Sequence, residues 1–297
     1  MPTTRHALPL MKTSTPAPDT PSCRAAAAPR TTTVERSEPA VGPADGVLSP
    51  EQVSRPIDAY LPTADQVMAV ARTEERLVND CLVDRGGTGD FADAADPAQW
   101  MPFVDGLIAD RIVRNTMWGF FDPENAPTFG YARPSADLGL LVPKQPTSGE
   151  SLPDCQELVS AGTPWGGWVG LTDTGGLPDG GPGYPATDSR YVAAVAAWSA
   201  CMAQKGFDYP DPITAIGSSI MEQASSGDDS GAIALATADV QCKIDTNLVG
   251  QAVAILSAYD QDYIEAHRQQ LDDWQASLKP YLDGSVTLED LEQAAAS

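Results

Sequence analysis

Two hexapeptides constrain this chain more than any other feature. Cys81-Leu82-Val83-Asp84-Arg85-Gly86 and Cys201-Met202-Ala203-Gln204-Lys205-Gly206 share one form: cysteine, long apolar residue, two variable residues, cation, glycine. Each closes an amphipathic helical pattern. The cation suits the negative end of a helix dipole, and the glycine suits the left-handed residue that ends a helix. Each is followed by one further cysteine in helix-like sequence, Cys155 or Cys242. A clasp there fixes where two helices cross and leaves the loop between them free to vary. The natural pairing is Cys81–Cys155 and Cys201–Cys242, each closure stabilising by roughly 4 kcal/mol less any strain. Four cysteines allow two other pairings, which the sequence leaves open.

The fifth cysteine, Cys23, lies in an N-terminal tail. No CxxC or Cys/His cluster occurs, and the two histidines, His6 and His267, are far apart, so no zinc or other metal site is expected. Two disulfides in an oxidising compartment fit better than four buried thiols of a cytosolic protein.

The fold expected is mainly α: two related disulfide-clasped helical units, long Gly/Pro-rich loops and little or no sheet. Residues 1–55 are rich in Thr, Ala, Pro and Ser without apolar period and read as a disordered tail. Residues 56–297 read as a helical domain with sub-units 56–162 and 186–280. Thr63 and Gln66 form a capping box before a stripe running from Val67 to Leu82. Asp96-Pro97 begins a short turn of helix or an irregular segment through Trp100, and Asp105 to Val113 is helix-like but weakly periodic. Ser151 caps a short helix carrying Cys155, and Thr163 to Pro185 is too rich in glycine to be regular. A helix from Ser189 ends at Gly206; a short one spans Ile213 to Gln223; Ser225 to Gly231 is a capping turn. From Ala232 to Leu278 apolar positions track one helical face, with room for a break near Thr246-Asn247 or Gly250, and Pro280 ends the pattern. Thr287 starts a last short helix.

The net charge of −23 repels nucleic-acid phosphates and anionic lipid heads, so neither is expected as a partner. No apolar run approaches the ~20 residues of a membrane span. Met1 to Met11 does not read as a secretory signal, and Thr20-Pro21-Ser22 is no approach to a lipidated cysteine at Cys23.

Chemistry is sparse. No nucleophile elbow, zinc-protease, phosphate-loop or dinucleotide motif is present, and no cofactor is expected. His267 reads as a solvated helix histidine. The carboxylate pairs Glu74-Glu75, Asp228-Asp229, Asp272-Asp273 and Glu289-Asp290 read as exposed, where both members stay ionised. Asp173 to Asp188 fails the spacing of a calcium loop. The aromatic stretch Met117 to Tyr131 reads as an ordered loop whose rings enter the core. Binding is the sharper alternative, resting on Trp118, Tyr131, Trp165 and Trp168.

Trp198-Ser199-Ala200-Cys201-Met202-Ala203-Gln204-Lys205-Gly206-Phe207 followed by Ala238-Asp239-Val240-Gln241-Cys242-Lys243 resembles a broad group of uncharacterised secreted or lipid-anchored proteins of actinobacteria. Pro56-Ile57-Asp58-Ala59-Tyr60-Leu61 and the Gly130-Tyr131 loop resemble the same group, so that the likeness runs from about Ser54 to Lys279. The resemblance implies a secreted or envelope location and no particular activity; a cytoplasmic location is the alternative. The expected function is that of an extracytoplasmic cell-envelope protein, a non-enzymatic binding or accessory module, with an envelope glycan or another envelope protein as partner. The alternative is a hydrolase with a two-carboxylate site built from loops. A pocket holding two carboxylates, one with a strongly raised pKa, would favour the enzyme. An apolar or Trp-lined groove without titratable groups would favour the module.

Overall fold

The computed structural model describes residues 38–89, 97–132, 152–226 and 230–295. The disordered tail expected over 1–37, the cap at Ser151 and the Asp228-Asp229 pair lie outside the described residues, as does part of the turn expected over Ser225–Gly231.

Helix α1 (Ala64–Asp84) starts at the capping box: the Thr63 amide donates to Gln66 Oε1 at 2.9 Å, and the Gln66 amide to Thr63 Oγ1 at 3.3 Å. Helix α2 (Pro97–Val113) leads into a short antiparallel ladder, β1 (Arg114–Asn115) with β2 (Gly119–Phe120), pairing Arg114 with Phe120. Next come α3 (Ala126–Phe129) and α4 (Leu152–Ala161). Three 3-10 turns cover Trp168–Thr172, Thr174–Gly176 and Pro178–Gly180. The remainder is α5 (Ser189–Gln204), α6 (Pro212–Ser226), α7 (Ser230–Asp245), α8 (Leu248–Ala266), α9 (Arg268–Leu282) and α10 (Leu288–Ala295). The described residues are thus mainly helical, with a single two-stranded sheet.

The repeated hexapeptides are two copies of one helix ending. At the end of α1 the Gly86 amide donates to the Val83 carbonyl and the Gly87 amide to Leu82, at 2.9 and 2.7 Å. At the end of α5 the Gly206 amide donates to Ala203 and the Phe207 amide to Met202, at 3.1 and 3.0 Å. Both glycines are left-handed, with φ +82° and +88°, which completes a Schellman closure each time. The disulfides are Cys81–Cys155 and Cys201–Cys242, with Cα atoms 5.8 and 5.7 Å apart.

Each clasp lies in its own core. The first core gathers α1, the start of α2, α4, Trp165, α9 and Leu291 of α10. The second gathers Val113 to Tyr131, α5, α7 and the first half of α8. These sets interleave along the chain, so neither core coincides with residues 56–162 or 186–280. Order also begins earlier than Pro56. Val47 is buried in the second core, and the Arg55 guanidinium binds Asp260 bidentately, its Nε 2.9 Å from Oδ2. A buried carboxylate holds this segment down, where its own sequence has no periodic apolar face.

Three helix boundaries differ from the sequence expectation. Pro97 to Val113 is one helix with Pro102 inside it. Pro102 removes one intrahelical bond, and burial of Trp100 and Val104 on either side holds the helix together. The run from Ala232 breaks at Asn247, left-handed with φ +51°, where the sequence left room for it, and again at His267, where it did not. Pro280 does not end α9, which runs on to Leu282.

The second core holds a buried polar knot. Asp239 accepts from Trp198 Nε1 at 2.9 Å, Tyr131 Oη at 3.1 Å and Lys243 Nζ at 2.7 Å. Lys243 also donates to the Phe120 carbonyl at 2.6 Å. Both charged side chains are wholly buried. Burial pushes the Asp239 carboxyl up and the Lys243 ammonium down, and their contact opposes both shifts.

Non-reducing peptide mapping is expected to recover the 81–155 and 201–242 linkages, and removing Cys201 and Cys242 together to cost about 2–4 kcal/mol in urea unfolding. Lys243→Met leaves Asp239 without a cation and is expected to cost about 3–5 kcal/mol in the same assay.

Candidate functional site

The stripe of α1 that faces the first core runs Val67, Val70, Ala71, Leu77, Val78 and Cys81. Glu74 falls in phase with it, three residues after Ala71 and three before Leu77, so the helix carries its carboxylate inward. Glu74 is 6% exposed. A carboxylate there needs donors, and the Trp165-Gly166-Gly167-Trp168 loop provides them. Trp165 Nε1 donates to Glu74 Oε1 at 2.9 Å, and the Trp168 amide donates to Oε2 at 2.9 Å. Left-handed Gly166 and Gly167, with φ +69° and +95°, turn the chain over the carboxylate. Thr163 Oγ1 accepts from the Gly167 amide at 2.8 Å and fixes the turn.

Beside Glu74 a cavity of about 200 Å³ opens between α1, α4 and this loop. Its walls are mostly apolar: Ala71 and Val78 of α1, Val159 of α4, and the rings of Trp100 and Trp168. The two indoles meet edge to face, centroids 5.7 Å apart, with Phe103 packed edge-on against both. Polar groups are few: Glu74, its neighbour Glu75, Gln156 and Ser160.

Burial raises the Glu74 pKa to about 7, against the opposing pull of the two N–H donors. Among the described residues no cation pairs with it. Tyr281 of α9, edge-on to Trp165 with centroids 4.9 Å apart, is pushed up to about 12 by burial and by the nearby Glu74 charge.

The residues singled out from sequence fare differently. Trp118 is buried, its indole donating to the Ile112 carbonyl at 3.2 Å. Tyr131 is buried in the Asp239 knot. Trp165 is buried too, and its polar edge is committed to Glu74. Of the four aromatics, Trp168 alone lines the cavity. Glu74 is not on an exposed face, which corrects the reading of the Glu74-Glu75 pair. Asp290 instead accepts from the Thr287 amide at 2.9 Å as a helix cap, and Asp273 from Gln269 at 3.0 Å on the surface.

His267 is not a mid-helix solvated residue. It sits at the α8–α9 break, stacked on Tyr263 with centroids 4.3 Å apart and 3.5 Å from Asp179. The aspartates of the 173–188 loop serve separate partners. Asp173 accepts from the Gly175 amide, Asp179 faces His267, and Asp188 caps α5 and binds Arg190. Among the described residues no group of three His, Cys, Asp or Glu side chains is arranged to hold a metal ion, and no helix is long and apolar enough to cross a membrane.

Comparison of the chain with protein-family models, with curated proteins and with solved structures finds no match in any of the three.

The Glu74 shift sets a pH dependence. The native state holds this proton up to about pH 7, while the unfolded chain releases it near 4.5. Stability from this group is therefore fully present below about pH 4.5 and is lost as pH rises through about 7, a span worth roughly 3 kcal/mol. Chemical unfolding at several pH values is expected to show this fall in the wild type and its absence in Glu74→Gln.

Proposed function

We propose that the protein is a non-enzymatic, extracytoplasmic binding or accessory module of the cell envelope, and that its ligand seats in the cavity beside Glu74. The observation that carries this reading is a concave, mostly apolar site walled by two indoles, with a few polar groups gathered at one end. The two disulfides are compatible with an oxidising compartment. The size of the site favours a compact ligand: an apolar cavity of about 150 Å³ already holds a benzene ring. An envelope glycan suits it less well, because a sugar's hydroxyls would meet mostly hydrocarbon. Interaction with a larger envelope partner would have to proceed through a small side chain inserted here.

The alternative, a two-carboxylate hydrolase, draws on the criterion set from the sequence: burial pushes Glu74 up to about 7 in a pocket that Glu75 also lines. The geometry favours it less. Consecutive residues on a helix project about 100° apart, so the two carboxyls do not confront one another across a scissile bond. Both Glu74 oxygens are also engaged by donors of the loop.

A panel of small apolar and amphiphilic compounds tests the binding reading by thermal shift. At about 100-fold excess over Kd a true ligand stabilises by about 2.7 kcal/mol, which raises Tm by several degrees. The rise is expected to vanish in Trp168→Ala and to persist in Val192→Ala, a surface change on α5. A panel that moves Tm nowhere, or equally in both variants, would sink the binding role of this cavity.

A further inference from the structure

The geometry points to a small organic ammonium with a compact apolar body as the ligand of the Glu74 cavity. This rests on the cavity being the binding site and adds the chemistry of what it takes.

The protein carries its own reference for such a site. In each core a buried carboxylate accepts an indole N–H at 2.9 Å: Glu74 from Trp165, and Asp239 from Trp198. At Asp239 the set is completed by the Tyr131 hydroxyl at 3.1 Å and by an ammonium, Lys243 Nζ at 2.7 Å. At Glu74 the other donor is a backbone amide, and the carboxylate borders a cavity walled by Trp100 and Trp168. Each carboxylate oxygen has spent one lone pair on an N–H and keeps another. A bound ammonium would take the place there that Lys243 takes at Asp239. Its charge would offset the burial of Glu74, and the indoles would add cation–π attraction to their contact with the apolar body. The overall charge of −23 steers cations rather than anions toward the cavity.

Among the described residues, the titratable groups that line the cavity or pack near Glu74 are Glu75, the next residue on its own helix, and Tyr281 from α9. The side of α4 that lines the cavity brings only the neutral Gln156 and Ser160, and the Trp165–Val169 loop brings no charge. Deprotonation of Glu74 is therefore the event that should switch ammonium binding on.

Isothermal titration of the full chain with 2-phenylethylammonium, its neutral isostere 2-phenylethanol and the anion phenylacetate tests this at pH 8. The ammonium is expected to bind roughly tenfold or more tightly than the alcohol, and phenylacetate more weakly than either. That preference should disappear in Glu74→Gln. Nonspecific attraction to an acidic surface would survive it, since only one charge is removed. The wild type provides a second reading should that variant fold poorly: at pH 5, where Glu74 is protonated and the amine still charged, the preference should shrink toward unity. Equal affinity for ammonium and alcohol, or a preference that outlasts both Glu74→Gln and pH 5, overturns the ammonium and leaves the cavity as a site for neutral ligands. Absence of binding by all three probes overturns the ammonium as well, and the cavity itself then stands or falls on the wider thermal-shift panel.

Discussion

An indole N–H held against a buried carboxylate is the interaction on which both cores depend. Neither Glu74 nor Asp239 could lie in a dry interior without fixed donors, because an unpaired carboxylate there costs more than one packed side chain returns. Each acid therefore dictates where a second segment must run. Glu74 fixes the Trp165–Trp168 loop over α1, and Asp239 fixes α5 and the Phe120–Tyr131 stretch over α7. A disulfide lies close by in both cases, Cys81 two turns beyond Glu74 on α1 and Cys242 one turn beyond Asp239 on α7. The covalent link limits how far the helices can part, and the polar contact sets their rotation. The roles are exchanged between the cores. In the first, the acid is on the earlier helix and the indole follows the later cysteine. In the second, the indole is on the earlier helix and the acid on the later.

Much of the fold was legible in local sequence. The hexapeptides announced two identical helix endings because a cation and a left-handed glycine are written into a Schellman closure, and the cysteine beside each pointed to the clasp. The capping box at Thr63 formed as read, and Thr287 starts the last helix by accepting from the Asp290 amide. What escaped was polar and long-range. Glu74, Asp239 and Asp260 each sit at the core phase of their helix, so the spacing carried the signal, but a carboxylate reads as surface unless its donors are known. The donors that make the burial of Glu74 tolerable, Trp165 and the Trp168 amide, lie 91 and 94 positions away, and no local window contains them with it.

The aromatic residues illustrate the same limit from the other side. Composition marked Trp118, Tyr131, Trp165 and Trp168 as notable without saying which way each ring would face. Three are drawn inward because their polar atoms have internal acceptors: Ile112 carbonyl, Asp239 and Glu74. Trp168 donates its backbone amide instead and keeps its ring at the cavity. The segment before Pro56 was misjudged for a related reason. It is held by scattered long-range contacts, among them Arg55 to Asp260, Ser189 to Glu38 and the burial of Val47, none of which leaves a periodic trace.

Helix α8 belongs to both halves of the molecule. Leu248 to Leu256 face the second core, Tyr263 faces the first, and Asp260 lies between them under Arg55. A shared beam of this kind denies each half an existence of its own, since neither can lose its structure without stripping a wall from its neighbour. Within the described residues the two cores are in consequence coupled, because the loss of either exposes the other.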